Sequence, residues 1–315
     1  MPLSHFPNLV SDFKILHALG NESKRKINQV FLVEHKDSGL KAVLKHLTKN
    51  SSKQHLEQFL RNEAYFSFDS SYLPKTLAFT ETDKEILLIK TYSEGISLIN
   101  YWKTIPNKLK EEFLVLFLSK FETIGRELLD LEIVHGDIKP TNIIIKGELL
   151  DFEISLIDFG LAFYPRKNSE RNIIFSLGYS APELILNRLD LASHASDLYS
   201  LGITFYHLYA GKLPLTHPNP AVMTNLQLNH PIMNHAGIPK NIFSLIEKCC
   251  AKIPFPKPPN RLTHDQITKL LNDGISIRFQ NIGEILAAYH SYPKKVSFLN
   301  KLIKVFSKSD IKIKK

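Results

Sequence analysis

The sequence predicts an α+β protein of two unequal halves, a small strand-rich half followed by a larger, mainly helical one. Three observations lead there. The first ninety residues carry short apolar, β-prone runs broken by polar turns, among them KAVLKHL at Lys41–Leu47. Leu109–Leu131 holds apolar residues at a sustained helical spacing. Between the two regions, Ser93–Ile99 is the crossing point where the character changes. A cleft between two such halves is a usual home for a ligand.

Taken in order, Phe13–Leu19, Val30–Glu34 and Lys41–Leu47 read as strands. The polar stretch HKDSG at His35–Gly39 between the last two suggests a hairpin. Ser51–Phe68 has helical spacing through Leu56, Phe59, Leu60, Glu63 and Ala64, and Glu85–Ile89 is a short buried-strand candidate. After the long helix comes a polar loop at His135–Asn142, then two short apolar runs, Ile143–Ile145 and Ile154–Ile157. Residues 197–210 and 239–252 again read as helices.

At 315 residues and 43% hydrophobic, the chain can bury a substantial core. The net charge of +9 favours anionic partners, but much of the excess sits in the last two dozen residues. Pro293–Lys315 holds eight lysines and one aspartate, and Val296, Leu299, Leu302, Ile303 and Phe306 share a helical face. Such a basic amphipathic tail either docks on the larger half or touches acidic membrane lipids. Cys249 and Cys250 are adjacent in an apolar stretch and read as buried, reduced thiols, which fits a reducing compartment. The first residues lack the apolar core of a signal peptide, and no stretch of about 18 apolar residues is present. A cytoplasmic protein is the expectation.

The chemistry concentrates in HGDIKPTN at His135–Asn142 and LIDFG at Leu156–Gly160. Asp137 and Lys139 lie two apart on a loop, Asn142 follows five after Asp137, and Asp158 ends an apolar strand. Oxygen ligands from Asn142 and Asp158 suit a hard cation such as magnesium. Phosphoryl transfer needs that cation, a positioned hydroxyl and neutralised phosphate oxygens. With Ala181-Pro182-Glu183 downstream, the sequence resembles the eukaryotic-like Ser/Thr protein kinase family over about residues 10–290.

The resemblance implies a bilobal protein-kinase-like fold, with an N-lobe of about 10–92, a C-lobe of about 96–290 and the tail at 293–315. It makes Asp137 the base or orienter of the substrate hydroxyl and Lys139 the neutraliser of the transferring phosphate. Asn142 and Asp158 hold magnesium, or manganese in its place, and Phe159 and Gly160 complete the hydrophobic switch. Ala42-Val43-Leu44-Lys45 resembles the strand whose lysine contacts the α and β phosphates of ATP. Glu63 is its ion-pair partner, eleven before Pro74, with Glu57 the alternative. Gly20 and Val30 cover the phosphates, and the backbone of Thr91, Tyr92 and Ser93 meets adenine. Ser176, seven before Glu183, is structural beside the catalytic pair. Asp197 holds the catalytic loop. Glu183 takes a buried arginine, Arg278, which an amphipathic helix follows, with Arg261 the runner-up and an insertion at Phe255–Ile277.

The chain departs from the family's pattern in three places. Gly20 is the one glycine in a phosphate loop about three residues longer than usual, and Lys24, Arg25 and Lys26 stand at its tip. Gly136 replaces the arginine that pairs with an activation-segment phosphate, which implies a segment (161–180) that orders without phosphorylation. Lys90 stands where the family guards the back of the adenine pocket; it snorkels outward, or the register is off by one.

The implied activity is transfer of the γ-phosphoryl of ATP to Ser/Thr hydroxyls of protein substrates, with no nucleic acid partner. A small-molecule kinase of the same fold and a weak pseudokinase or scaffold are the rivals. The Lys/Ile/Asn-rich composition and the degenerate glycine loop point to a bacterial source, and from a pathogen the protein is one to deliver into a host cell.

Overall fold

The structure is a computed structural model that describes residues 12–19, 29–50, 54–165 and 175–292. Strands β1 (Phe13–Ala18), β2 (Gln29–His35), β3 (Lys41–Thr48), β4 (Thr76–Glu81) and β5 (Glu85–Thr91) form one antiparallel sheet in the order β1-β2-β3-β5-β4. The HKDSG turn joins β2 to β3 as expected. His35 Nδ1 bonds Ser38 Oγ at 2.9 Å, and the His35 N–H donates to Leu40 O. Helix α1 (Gln54–Tyr65) packs on one face of this sheet. Its Leu60 meets Leu47, Ile86 and Leu88, all completely buried. The three strand residues share a face of the sheet because strand side chains alternate.

A short strand β6 (Ile96–Ser97) and helix α2 (Leu98–Thr104) open the larger lobe. Helix α3 (Lys110–Asp130) runs through it and buries Phe113, Phe117, Phe121, Ile124 and Leu128 on its apolar side. The hairpin β7 (Ile143–Glu148) and β8 (Asp151–Leu156) adds to β6 in a three-stranded sheet. Helices α4 (Pro182–Ile185), α5 (His194–Ala210), α6 (Pro220–Asn229), α7 (Lys240–Cys249), α8 (His264–Ile277) and α9 (Ile282–Ser291) complete it. The result is the bilobal α+β architecture the sequence predicts. Among the described residues, no helix is long and apolar enough to cross a membrane.

Strand β4 and helices α2 and α6 were not anticipated. Residues 255–277, expected as an insertion, contain α8, whose Leu271 packs with Leu228 and Phe255 in a small cluster of their own. Cys249 and Cys250 are buried free thiols, as expected, and burial pushes both thiol pKa values up, Cys250 to about 12. The basic tail at 293–315 and the phosphate-loop residues Gly20, Lys24, Arg25 and Lys26 lie outside the described residues, as does much of the activation segment.

Helix α5 is the axle of the larger lobe, buried along nearly its whole length. Ser193 caps its N-terminus with a capping box, and His194 follows in the first turn. The His194 ring is buried, its Nδ1 has no partner among the described residues, and burial pulls its pKa down to about 4. A cation there is disfavoured also by the positive end of the helix dipole. The unfolded chain, with an ordinary histidine near 6.5, therefore binds the proton first as pH falls. Stability is fully present above about pH 6.5 and is lost toward pH 4, by up to roughly 3 kcal/mol from this residue. Urea unfolding at about pH 7 and about pH 5 checks this: His194→Leu should flatten the acid loss, and an unchanged pH slope would refute the assignment.

Candidate active site

Lys45 projects from β3, where it pairs with Val30 on β2 and Leu88 on β5. Its Nζ donates to both carboxylate oxygens of Glu63 on α1, at 2.6 and 2.7 Å, and to Asp158 Oδ1 at 3.1 Å. Burial alone would lower the lysine's pKa, but Asp158 and Glu63 outweigh it and hold the ammonium well above its usual range. Burial would likewise raise Asp158, but Lys45 and Lys139 draw it below the ordinary carboxylate value. Burial pushes Glu63 upward against the pull of Lys45. The alternative partner, Glu57, bonds Arg61 instead, one turn along the same helix.

Asp158 has a left-handed backbone, φ 74° and ψ 67°, uncommon for a residue with a side chain. That turn sends Phe159 inward, where its ring is fully buried 4.7 Å from Phe68 and 4.5 Å from His135. Gly160 comes next, and a Cβ there would lie 2.1 Å from the Phe59 ring of α1, so only glycine permits this approach. Asn62 fastens the same contact, its Nδ2 donating to Gly160 O at 2.9 Å and Ala162 O at 2.7 Å. Asn62 carried no motif signal; an amide on a helix looks the same whether it faces solvent or a carbonyl.

The His135–Asn142 loop is built around Asp137. Its Oδ1 accepts from Ser176 Oγ at 2.6 Å, and its Oδ2 from Lys139 Nζ at 2.5 Å and Asn142 Nδ2 at 2.9 Å. Asn142 O accepts the Ile157 N–H, which ties the loop to the residue before Asp158. Asn142 thereby spends its amide nitrogen on Asp137, while Oδ1 takes a long 3.4 Å bond from Thr141. His135 receives the Asp137 N–H on Nδ1 and donates Nε2–H to Ile157 O; burial lowers its pKa, consistent with the neutral ring.

Asp197 on α5 accepts the His135 and Gly136 N–H groups at 2.8 and 3.0 Å. Burial pushes this carboxyl up to about 7, against those two donors, which favour its charge. Gly136 is in the left-handed region, φ 74°, and a Cβ would come within 3.0 Å of Leu161 O and the Phe175 ring. Phe175 packs edge-on to Phe163 at 6.0 Å, filling the space over the loop.

Arg278, rather than Arg261, meets Glu183. The pair makes two bonds, 2.6 and 3.1 Å, with both side chains buried, and Ser196 Oγ adds a third bond to the carboxylate at 2.6 Å.

A cleft of about 630 Å³ opens between the lobes. Val30 and Val43 face Ile144 across it, and Thr91, Tyr92 and Ser93 form its edge with Lys45, Glu63 and Asp158 at its depth. Val43 and Ile144 were missed by the sequence reading; apolar residues in short strands carry no chemical signal. Lys90 corrects an expectation. It does not snorkel outward: it is 3% exposed and donates inward to Glu63 O and Phe66 O at 2.8 and 2.7 Å.

A comparison with known families fits this geometry. The family described as protein kinase domain matches residues 19–271. The chain belongs to the protein kinase domain family. Similar proteins include maternal embryonic leucine zipper kinase of Xenopus laevis, 26% identical over 227 residues, covering 71% of this chain and 34% of that one. Aurora kinase of Eremothecium gossypii is 30% identical over 223 residues, 68% of this chain and 57% of that one. A relative from Dictyostelium discoideum whose name includes serine/threonine-protein kinase is 28% identical over 245 residues, 76% of this chain and 28% of that one. The chain thus spans about a third of the length of the first of these kinases, and all three come from eukaryotes.

The kinase domain's buried ion pair gives a stability prediction. Removing one partner of such a pair leaves an uncompensated charge and costs about 3–5 kcal/mol. Arg278→Met should lower the denaturant midpoint accordingly, and adding Glu183→Gln should recover part of the loss. A melt of Arg278→Met matching the parent would show the pair to be energetically idle.

Proposed function

We propose that this protein kinase domain transfers the γ-phosphoryl group of ATP to serine or threonine hydroxyls of protein substrates. The observation that carries the reading is the convergence of Lys45, Glu63 and Asp158 at the depth of one cleft, tied through Ile157 and Asn142 to Asp137 and Lys139. In this reading the domain spans 10–290, with lobes of 10–92 and 96–290.

Lys45, kept charged by its two acids, holds the α and β phosphates of ATP. The backbone of Thr91, Tyr92 and Ser93 meets adenine, and Gly20 and Val30 lie over the phosphates. Asn142 and Asp158 fit a magnesium or manganese site by donor chemistry, since both offer oxygen. Among the described residues no cluster of three or more His, Cys, Asp or Glu side chains could hold a metal alone. Magnesium in such sites takes one or two carboxylates with substrate phosphates, and in protein kinases an asparagine oxygen as well. When bound, the cation neutralises charge on the β and γ phosphates.

Asp137 Oδ1 already accepts a serine hydroxyl from Ser176, the same kind of bond it would make to an acceptor residue. The substrate oxygen forms a bond to the γ phosphorus as the bond to the β–γ bridging oxygen breaks. ADP leaves, and the hydroxyl proton passes to Asp137. Lys139 balances charge on the transferring group. Ser176 keeps Asp137 oriented, as does Asn142. Asp197 fixes the loop by its backbone, and the Glu183–Arg278 pair braces the peptide-binding side. The last two features disfavour a small-molecule kinase. Phe175 and Phe163 packed over Gly136, where the arginine is absent, support activity that needs no activation-segment phosphate.

A weak pseudokinase or scaffold is the second reading, favoured by the single glycine of the phosphate loop. We also keep as proposals a bacterial, cytoplasmic origin, delivery to a host if the source is a pathogen, and contact of the 293–315 tail with acidic lipid. The Lys/Ile/Asn-rich composition supports the bacterial source, and the lysine-rich amphipathic tail supports the lipid contact.

Purified chain with labelled ATP, magnesium and generic protein substrates tests the reading. Label should appear on serine and threonine. Asp137→Asn should lose about 10²–10⁴-fold in kcat, and Asp158→Ala should abolish transfer. Label on small metabolites alone, or no turnover from a folded chain, would overturn the proposal in favour of one or other rival.

A further inference from the structure

Lys90 sits on β5 at the back of the cleft, where a buried ammonium has few reasons to be. The strand's alternation puts it on the face that carries Ile86 and Leu88, the face against α1. Its Nζ reaches the end of that helix and donates to Glu63 O and Phe66 O. Its cross-strand neighbour Thr76, on β4, donates Oγ1 to Ala64 O at 2.9 Å.

The last carbonyls of a helix have no partners within it and need them from elsewhere. Helix α1 has no basic residue in its own last turn to supply them. Its Asn62 O takes the Phe66 N–H, and the sheet caps Glu63, Ala64 and Phe66 through Lys90 and Thr76. A cation is the favourable donor at that end, since the helix dipole is negative there.

Glu63 is thereby held twice, its backbone by Lys90 and its carboxylate by Lys45. The two lysines stand on adjacent strands, with Lys90 opposite Val43 and Lys45 opposite Leu88. Among the described residues, Lys90 makes no ion pair; carbonyls are its partners. Burial lowers its pKa to about 8, with Glu63 and Asp158 supporting the charge and Lys45 opposing it. It still carries its proton at neutral pH.

We propose that Lys90 is a positioning residue: by capping the end of α1 from β5, it keeps Glu63 on Lys45 and the helix docked without a second molecule. The proposal rests on the kinase reading for its effect on turnover, but its structural half stands apart from that reading.

The test uses the full chain carrying Lys90→Met, which keeps length and apolarity and removes the donor. Lys90→Gln runs beside it, keeping a donor should the methionine variant not fold, and Thr76→Val removes the neighbouring cap alone. Thermal melts establish that each is folded. Hydrogen exchange followed by mass spectrometry should show faster exchange across Gln54–Phe66 in Lys90→Met, by about tenfold or more, with the larger lobe unchanged. Thr76→Val should shift the same segment less.

Turnover gives the second readout. A misplaced Glu63 should lower kcat by about 10²-fold while KM for the protein substrate stays put. In a Glu63→Gln background, Lys90→Met should add less than about threefold, because its route to the site is already cut. A folded Lys90→Met with parental exchange in α1 overturns the proposal, and so do losses that simply multiply in the double variant. If the parent transfers no phosphate, the kinase reading fails, and the exchange result alone decides whether Lys90 holds the helix.

Discussion

Three charged side chains from three distant stretches of chain meet at Lys45 Nζ, and the two lobes are organised around that point. Glu63 brings α1 to the sheet, and Asp158 brings the end of the β8 segment from the other lobe. A buried ammonium alone would cost several kcal/mol in lost hydration. Two carboxylates alone in the same space would repel and one would protonate. Together, Lys45 and Asp158 favour their charged forms, as the raised lysine and lowered Asp158 indicate, while burial still pushes Glu63 upward against the pull of Lys45. No member is stable there without the others, so the position of α1, of β3 and of the Asp158 turn are one problem rather than three.

That constraint accounts for the local oddities nearby. The left-handed turn at Asp158 and the contact of Gly160 with Phe59 are each unfavourable for an ordinary residue. They persist because Asn62 fastens the segment's carbonyls to α1 while Phe159 fills the space among Phe66, Phe68 and His135. Polar pins fix where the helix lies, and apolar packing supplies the burial. The larger lobe uses the same division. Its axle α5 is buried nearly all round, and Asp197 reaches from it to fix two backbone N–H groups of the His135–Asn142 loop.

Much of this was legible in the sequence where chemistry demands a residue type at a short spacing. Asp137, Lys139 and Asn142 lie within six residues and could be read together; the structure gathers them on one carboxylate. An amphipathic helix follows Arg278 and favours it over Arg261 for Glu183, and the structure buries Arg278 against that carboxylate. Lys90 was misread although the signal was present: Ile86, Leu88 and Lys90 alternate, so a lysine on the buried face had to point inward. Snorkelling needs a route to water, and α1 closes it. Asn62 and Thr76 gave no signal. Their roles depend on carbonyls from another element, which no local pattern announces.

Two of the chain's departures from its family have a common physical direction. Glycine at 136 removes a cation that could hold an activation-segment phosphate, and its left-handed backbone, crowded by Leu161 O and Phe175, gives a side chain no room to return. Lysine at 90 adds a cation, but spends it on helix carbonyls of the same chain. In the first case the rings of Phe163 and Phe175 pack on each other beside Gly136. In the second, a helix end that could drift is tied to the sheet it packs on. In both places the contacts seen among the described residues are ones the chain makes with itself.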